Sequence, residues 1–182
     1  LDMADKLIAK MDLQAGNAKP DGFYDDPTPN PVNTNTLADG VKAYANEDYE
    51  EAFSIFHSLA VNGNPKAQSN VGDMYRNGIF VSQNNAEAVK WYEKSADAGE
   101  EKAQLNLGLM YELGKGTPQS YEKAAAYYQL AIEQDNDDAR AYLGELYENG
   151  NGVKKNLRFA RILYTAASKS GNNYAKERLS EL

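Results

Sequence analysis

One histidine, His57, and no cysteine leave this 182-residue chain few routes to side-chain catalysis. A Ser-His-Asp relay or a two-histidine zinc site would have to run through His57 alone. Its place one residue past Phe56, in an apolar-periodic stretch, reads as a helix-surface residue instead. Without cysteine there is no disulfide, no thiolate nucleophile and no thiolate-ligated zinc. Asp135-Asn136-Asp137-Asp138 has the acid density of a calcium loop. An EF-hand needs glycine at its sixth position, however, and Arg140 stands there. The expected role of Asp137 or Asp138 is to cap a helix and complement its positive end. The carboxylates Glu50-Glu51 and Glu100-Glu101 are sequence neighbours, and adjacent helical residues do not face each other, so neither pair suits acid–base work. Asn77-Gly78, Asn149-Gly150 and Asn151-Gly152 are turn dipeptides with no preceding strand to make them phosphate cradles. The expectation is a protein that is not an enzyme, with no cofactor and no metal.

The elements that position these residues recur. Ala67, Ala103, Ala139 and Ala175 lie 36 residues apart, and Gly72, Gly108 and Gly144 keep the same register, as do Tyr75, Tyr111 and Tyr147 and also Tyr92, Tyr128 and Tyr164. A period of this size marks stacked supersecondary units, each too small to bury its own apolar face. Within a unit, Ala103, Leu107, Met110 and Tyr111 make one helical stripe, and Ala124, Tyr127, Tyr128 and Ala131 make a second after a turn. Each unit is therefore a hairpin of helix A and helix B, and the tyrosine stripe with Trp91 is core. A glycine inside helix A costs about 1 kcal/mol relative to alanine. Its recurrence predicts close approach of helix B. Gly78, Gly114 and Gly150 suit the left-handed position that ends a helix. Gly116 and Gly152 serve the loop between helices. Phe80 takes that place in the first full unit, which predicts a loop of different shape there.

The division read from these patterns is a short amphipathic helix at 1–14 (Met3, Leu7, Ile8, Met11), a proline-rich extended tether at 15–36, a shorter first repeat at 37–66, full repeats at 67–102, 103–138 and 139–174, and a capping helix at 175–182. The N-terminal arm is expected to cover the open end of the array, to lie in its groove, or to engage a partner. The start at Leu1 suggests a processed product, and the polar outer side of the last helix suggests a designed end.

The pattern A-x3-[VL]-G-x2-Y-x2-G, then A-x3-Y and a closing Gly99 or Gly171, resembles Sel1-like repeats, relatives of tetratricopeptide repeats. The unit with Gly40, Tyr44, Asp48-Tyr49 and Ala52 looks more like a tetratricopeptide repeat itself. The resemblance implies an all-α, right-handed α-solenoid of helical hairpins acting as a protein-interaction scaffold. Many secreted bacterial members carry a cysteine pair per repeat, and this chain departs from them. In bacteria the family commonly serves envelope signalling, secretion, host contact or effector immunity; in eukaryotes it serves adaptors of degradation complexes.

The formal charge of −8 argues against nucleic acid or an anionic membrane surface as partner, and the lysines and arginines read as scattered. No apolar stretch is long enough for membrane insertion. What remains is the exposed side of helix A, which lines the concave surface in a superhelix of this type. It reads Ser69, Asp73, Arg76 and Asn77; Leu105, Leu109, Glu112 and Leu113; Ala141, Glu145, Glu148 and Asn149; and, in the first unit, Leu37, Val41 and Tyr44. The partner-binding set is Val41, Tyr44, Asp73, Arg76, Leu105, Leu109, Glu112, Leu113, Glu145 and Glu148. Three leucines one turn apart make an apolar strip with an acidic rim, suited to a protein or peptide partner with apolar anchors and basic flanks. The same leucines could instead be covered by the chain's own arm or by neighbouring repeats. The functional expectation is a bacterial scaffold or adaptor of the envelope or of secretion, periplasmic or secreted rather than cytoplasmic. The alternative is an immunity or inhibitor protein that blocks an enzyme through its arm or through the loops at Phe80 and Thr117-Pro118.

Overall fold

A computed structural model describes residues 35–182, and the expected helix at 1–14 and most of the tether lie outside them. All regular structure among the described residues is helical, and within each of two compact units successive helices pack against one another in hairpins. The chain divides into two compact units, residues 35–100 and 101–182 among those described.

The first unit holds α1 (Leu37–Ala45), α2 (Tyr49–Val61), α3 (Pro65–Asn77) and α4 (Asn85–Asp97). Thr36 opens α1 with a reciprocal capping box to Asp39, and Pro65 begins α3 at a position where its missing N–H costs nothing. Ala43, Ala52, Phe56, Ala60, Ala67, Val71 and Met74 form the core, with Tyr49, Phe53, Tyr75 and Trp91 packed against it.

The second unit holds α5 (Glu101–Leu113), α6 (Tyr121–Ile132), α7 (Asp137–Asn149), α8 (Leu157–Lys169) and α9 (Asn173–Glu181). Ala141, Ala160, Tyr164, Ala167 and Ala175 make a core cluster under Tyr147, Leu179 and Leu182. α7 is capped by Asn136, whose side chain accepts the Ala139 N–H at 2.7 Å. This corrects the expectation that Asp137 or Asp138 is the cap; both sit in the first turn, where they complement the positive end of the helix and Asp137 pairs with Arg140 at 2.5 Å.

The helix-A glycines behave as their recurrence predicts. A Cβ on Gly72, Gly108 or Gly144 would stand 2.7, 2.5 or 2.8 Å from the ring of Tyr92, Tyr128 or Tyr164, respectively. Those rings are fully buried. The loop at Phe80 does not differ from the others as expected. Phe80 takes φ 65°, beside 75° at Gly116 and 64° at Gly152. All three loops close with the same bonds, Asn84, Ser120 and Asn156 N–H donating to the carbonyls of Tyr75, Tyr111 and Tyr147 at 2.8 to 2.9 Å. Loop length and these closures set the backbone path, and a bulky residue is forced into a left-handed conformation that costs about 1–2 kcal/mol.

Candidate functional site

Each helix-B tyrosine that fills the glycine notch must still satisfy its buried hydroxyl. Tyr92 donates to Asp73 Oδ1 at 2.7 Å, Tyr128 to Glu112 Oε2 at 2.5 Å, and Tyr164 to Glu148 Oε2 at 2.8 Å. Three acids assigned to the rim of a groove are thus also tyrosine acceptors. Glu112 and Glu148 lie sixteen residues before their tyrosines. The equivalent place in the first full repeat is Arg76, so Asp73 serves from one turn earlier, with the Arg76 guanidinium 3.4 Å from its carboxylate. A 36-residue tyrosine with an acid sixteen positions earlier was the available signal. It crosses an interhelical loop, so helical spacing within one element does not reveal it.

In the second unit the carboxylates gather with aromatic rings. Tyr142 on α7 stacks on Tyr128 at 5.6 Å and tilts against Tyr174 at 6.3 Å. Tyr174 donates to Glu145 Oε2 at 2.6 Å. Arg178 on α9 bridges Glu148 and Glu181. Burial pushes the Glu112 carboxyl above the usual glutamate range; the Tyr128 hydrogen bond opposes this and the nearby Glu145 charge adds to it. Burial likewise holds the hydroxyls of Tyr92, Tyr128, Tyr164 and Tyr174 well above the ordinary phenol value, and a carboxylate beside each adds to the rise.

The leucine strip on α5 is graded rather than uniformly open. Leu105 and Leu109 are half-buried, and Leu113 is 57% exposed. The face is narrower than the sequence suggests, because Ser69 and Ala141, in the register of Leu105, are buried. In the first unit Val41 is 52% exposed, and Tyr44, also exposed, meets Tyr49 edge to face at 5.2 Å. His57 is half-buried between rings, 5.5 Å from Phe53 and 5.6 Å from Trp91. Phe53 also touches Phe80 at 5.6 Å. Among the described residues no group of three or more His, Cys, Asp and Glu is placed to hold a metal ion, and no helix is long and apolar enough to cross a membrane.

The Sel1 repeat family model matches residues 65–100, 101–136 and 137–172. Among solved structures, a Sel1 repeat protein from Oxalobacter formigenes is 34% identical with a TM-score of 0.73, over 79% of this chain and 57% of that one. The protein c5321, a protective antigen present in uropathogenic Escherichia coli strains and displaying an SLR fold, is 28% identical with a TM-score of 0.76, over 98% of this chain and 35% of that one. Helicobacter pylori cysteine rich protein B is 24% identical with a TM-score of 0.52, over 81% of this chain and 100% of that one, a likeness of fold alone. The chain spans little more than half of the first of these and about a third of the second. No curated protein matches it. Proteins built from such repeats are generally protein-interaction scaffolds.

Proposed function

This chain belongs to the Sel1 repeat family, and we propose that it is a non-catalytic adaptor that holds a protein or peptide partner in a concave groove lined by the exposed side of its A helices. The observation that carries this reading is α5. Leu113 stands open one turn beyond the half-buried Leu109, next in sequence to the half-buried Glu112. An apolar anchor flanked by lysine or arginine complements that pairing, the anchor supplying burial and the charges supplying register. On α7 Glu145 extends the acidic rim, with Glu148 beside it engaged by Tyr164 and Arg178. In the first unit Val41 and Tyr44 supply apolar surface, and Asp73 and Arg76 supply a paired charge. The bacterial sources of the similar structures support a bacterial protein. The description of one of them as a protective antigen favours a periplasmic or secreted place, with an envelope or secretion role.

A second reading has its own observation. Phe80 holds a left-handed backbone with its ring 54% exposed at a loop tip, where the other repeats place glycine. Strain kept at an exposed aromatic suits an inhibitor that blocks an enzyme through its loops. One experiment separates the two. The parent chain, Leu109→Asp/Leu113→Asp and Phe80→Ala are used to capture partners from the native host, with circular dichroism on each. Loss of the partner from the leucine variant alone, at unchanged helicity, is the expected result. Loss from Phe80→Ala alone selects the inhibitor reading. A leucine variant that melts several degrees lower assigns those side chains to the protein's own packing.

A further inference from the structure

Between Asn149 and Lys176 the chain carries Lys154, Lys155, Arg158, Arg161, Lys169 and Lys176 and no Asp or Glu, a reversal of sign in a protein of net charge −8. Read as composition, the basic residues look scattered, but the fold gathers five of them. α8 buries Ala160, Leu163, Tyr164 and Ala167. Its opposite side therefore presents Arg158, Ile162 and Lys169, with Arg161 on the flank and Leu157 open in the first turn, all exposed. Lys154 and Lys155, exposed in the preceding loop, extend this face beyond the helix start. Leu157 and Ile162 are 48% and 54% exposed among the cations. The ion pairs in this unit use Arg140 and Arg178 and none of these five. Glu122 flanks this face where Gly152 abuts the start of α6, its carboxylate accepting the Ser120 hydroxyl, and Glu177 and Glu181 are exposed on α9, which packs against α8.

The opposite sign is concentrated in the first hairpin. Glu47, Asp48, Glu50 and Glu51, all exposed, crowd the turn from α1 into α2. Lys42 is the one lysine or arginine between Asn35 and Pro65. The Tyr44–Tyr49 ring pair adjoins these acids and offers an aromatic surface beside the charges.

We propose that the basic face of α8 in one copy of this chain docks on the acidic α1–α2 corner of a second copy. The two patches match in sign, and each mixes charge with apolar side chains. Leu157 and Ile162 interleaved with cations fit protein side chains better than a row of phosphates. Outside residues 149–176 the other thirteen lysines and arginines face all 27 acids, so a long polyanion or an anionic bilayer is repelled beyond the patch. Repulsion between two acidic copies is screened over about 8 Å at physiological salt, while facing patches meet at shorter range. A contact between two different patches lets copies add head to tail.

Sedimentation velocity on the full chain, from micromolar to near-millimolar concentration, tests this. At low salt the weight-average mass should at least double across the series, and it should return to the monomer in about 1 M salt, where the screening length is about 3 Å. Lys154→Glu/Lys155→Glu/Arg158→Glu and Glu47→Lys/Glu50→Lys/Glu51→Lys should each stay monomeric alone. Mixed, they should form a one-to-one complex, since each retains the patch the other has lost. If a triple variant loses its helical circular dichroism, Arg158→Glu and Glu50→Lys replace the two sets. A parent chain that stays monomeric throughout, association insensitive to salt, or a mixture that forms no complex would overturn the proposal. So would a monomeric chain that binds phosphatidylserine vesicles through the same cations.

Discussion

Tyr128 is held at two ends, its ring against Gly108 and its hydroxyl on Glu112. A methyl group at Gly108 therefore meets a ring that has nowhere to go. Alanine gains about 1 kcal/mol of helix propensity, but overpacking a filled core costs about 1–3 kcal/mol. Gly108→Ala should lower the melting temperature in circular dichroism, by up to several degrees, and a variant more stable than the parent would mean that the ring does not lie on the helix. The glycine was legible because an unfavourable residue that recurs needs a reason. The acceptor was not, since Glu112 looks like any exposed acid until the fold brings Tyr128 to it. Ser69 and Ala141 show the same limit from the other side, being counted as surface yet buried.

At the scale of elements, α5 carries both the apolar strip and a carboxylate that its neighbours make uncomfortable. Glu112 has a raised pKa, first through burial and also through Glu145, with the Tyr128 bond opposing. The folded chain therefore holds this proton more tightly than the unfolded one. The residue costs stability as pH rises from the ordinary glutamate value of about 4.3 through the elevated one, and the whole cost is present at neutral pH. Glu112→Gln keeps an oxygen for the tyrosine and has no proton to lose. Urea titrations should find the variant at least as stable as the parent at pH 7, with its relative advantage shrinking below about pH 4. An advantage that grows towards acid would contradict the geometry. The interhelical loops teach a related lesson. A glycine at 116 and 152 suggested that Phe80 would bend its loop differently, yet the shared closing bonds prevailed over the preference of one residue.

Across the whole molecule the buried tyrosines act together. Tyr92, Tyr128 and Tyr164 have raised pKa values, chiefly through burial and then through the carboxylates they touch. Their contribution to stability is complete below about pH 10, the ordinary phenol value, and is lost as pH climbs through their raised values. In an alkaline titration, phenolate absorbance from these three should appear together with loss of helicity; its appearance in a fully helical protein would place the hydroxyls in solvent. The repeat register, the hairpins, the notch glycines and the all-α class were determined by the sequence itself. They follow from the spacing of apolar residues along single helices, a local property that a 36-residue period repeats. Only the tertiary structure decided which acids are tyrosine acceptors, how far the leucine strip is open, and that scattered cations share one side of α8. Those depend on which side of each helix its neighbour covers, and that is set by packing between segments distant in the chain.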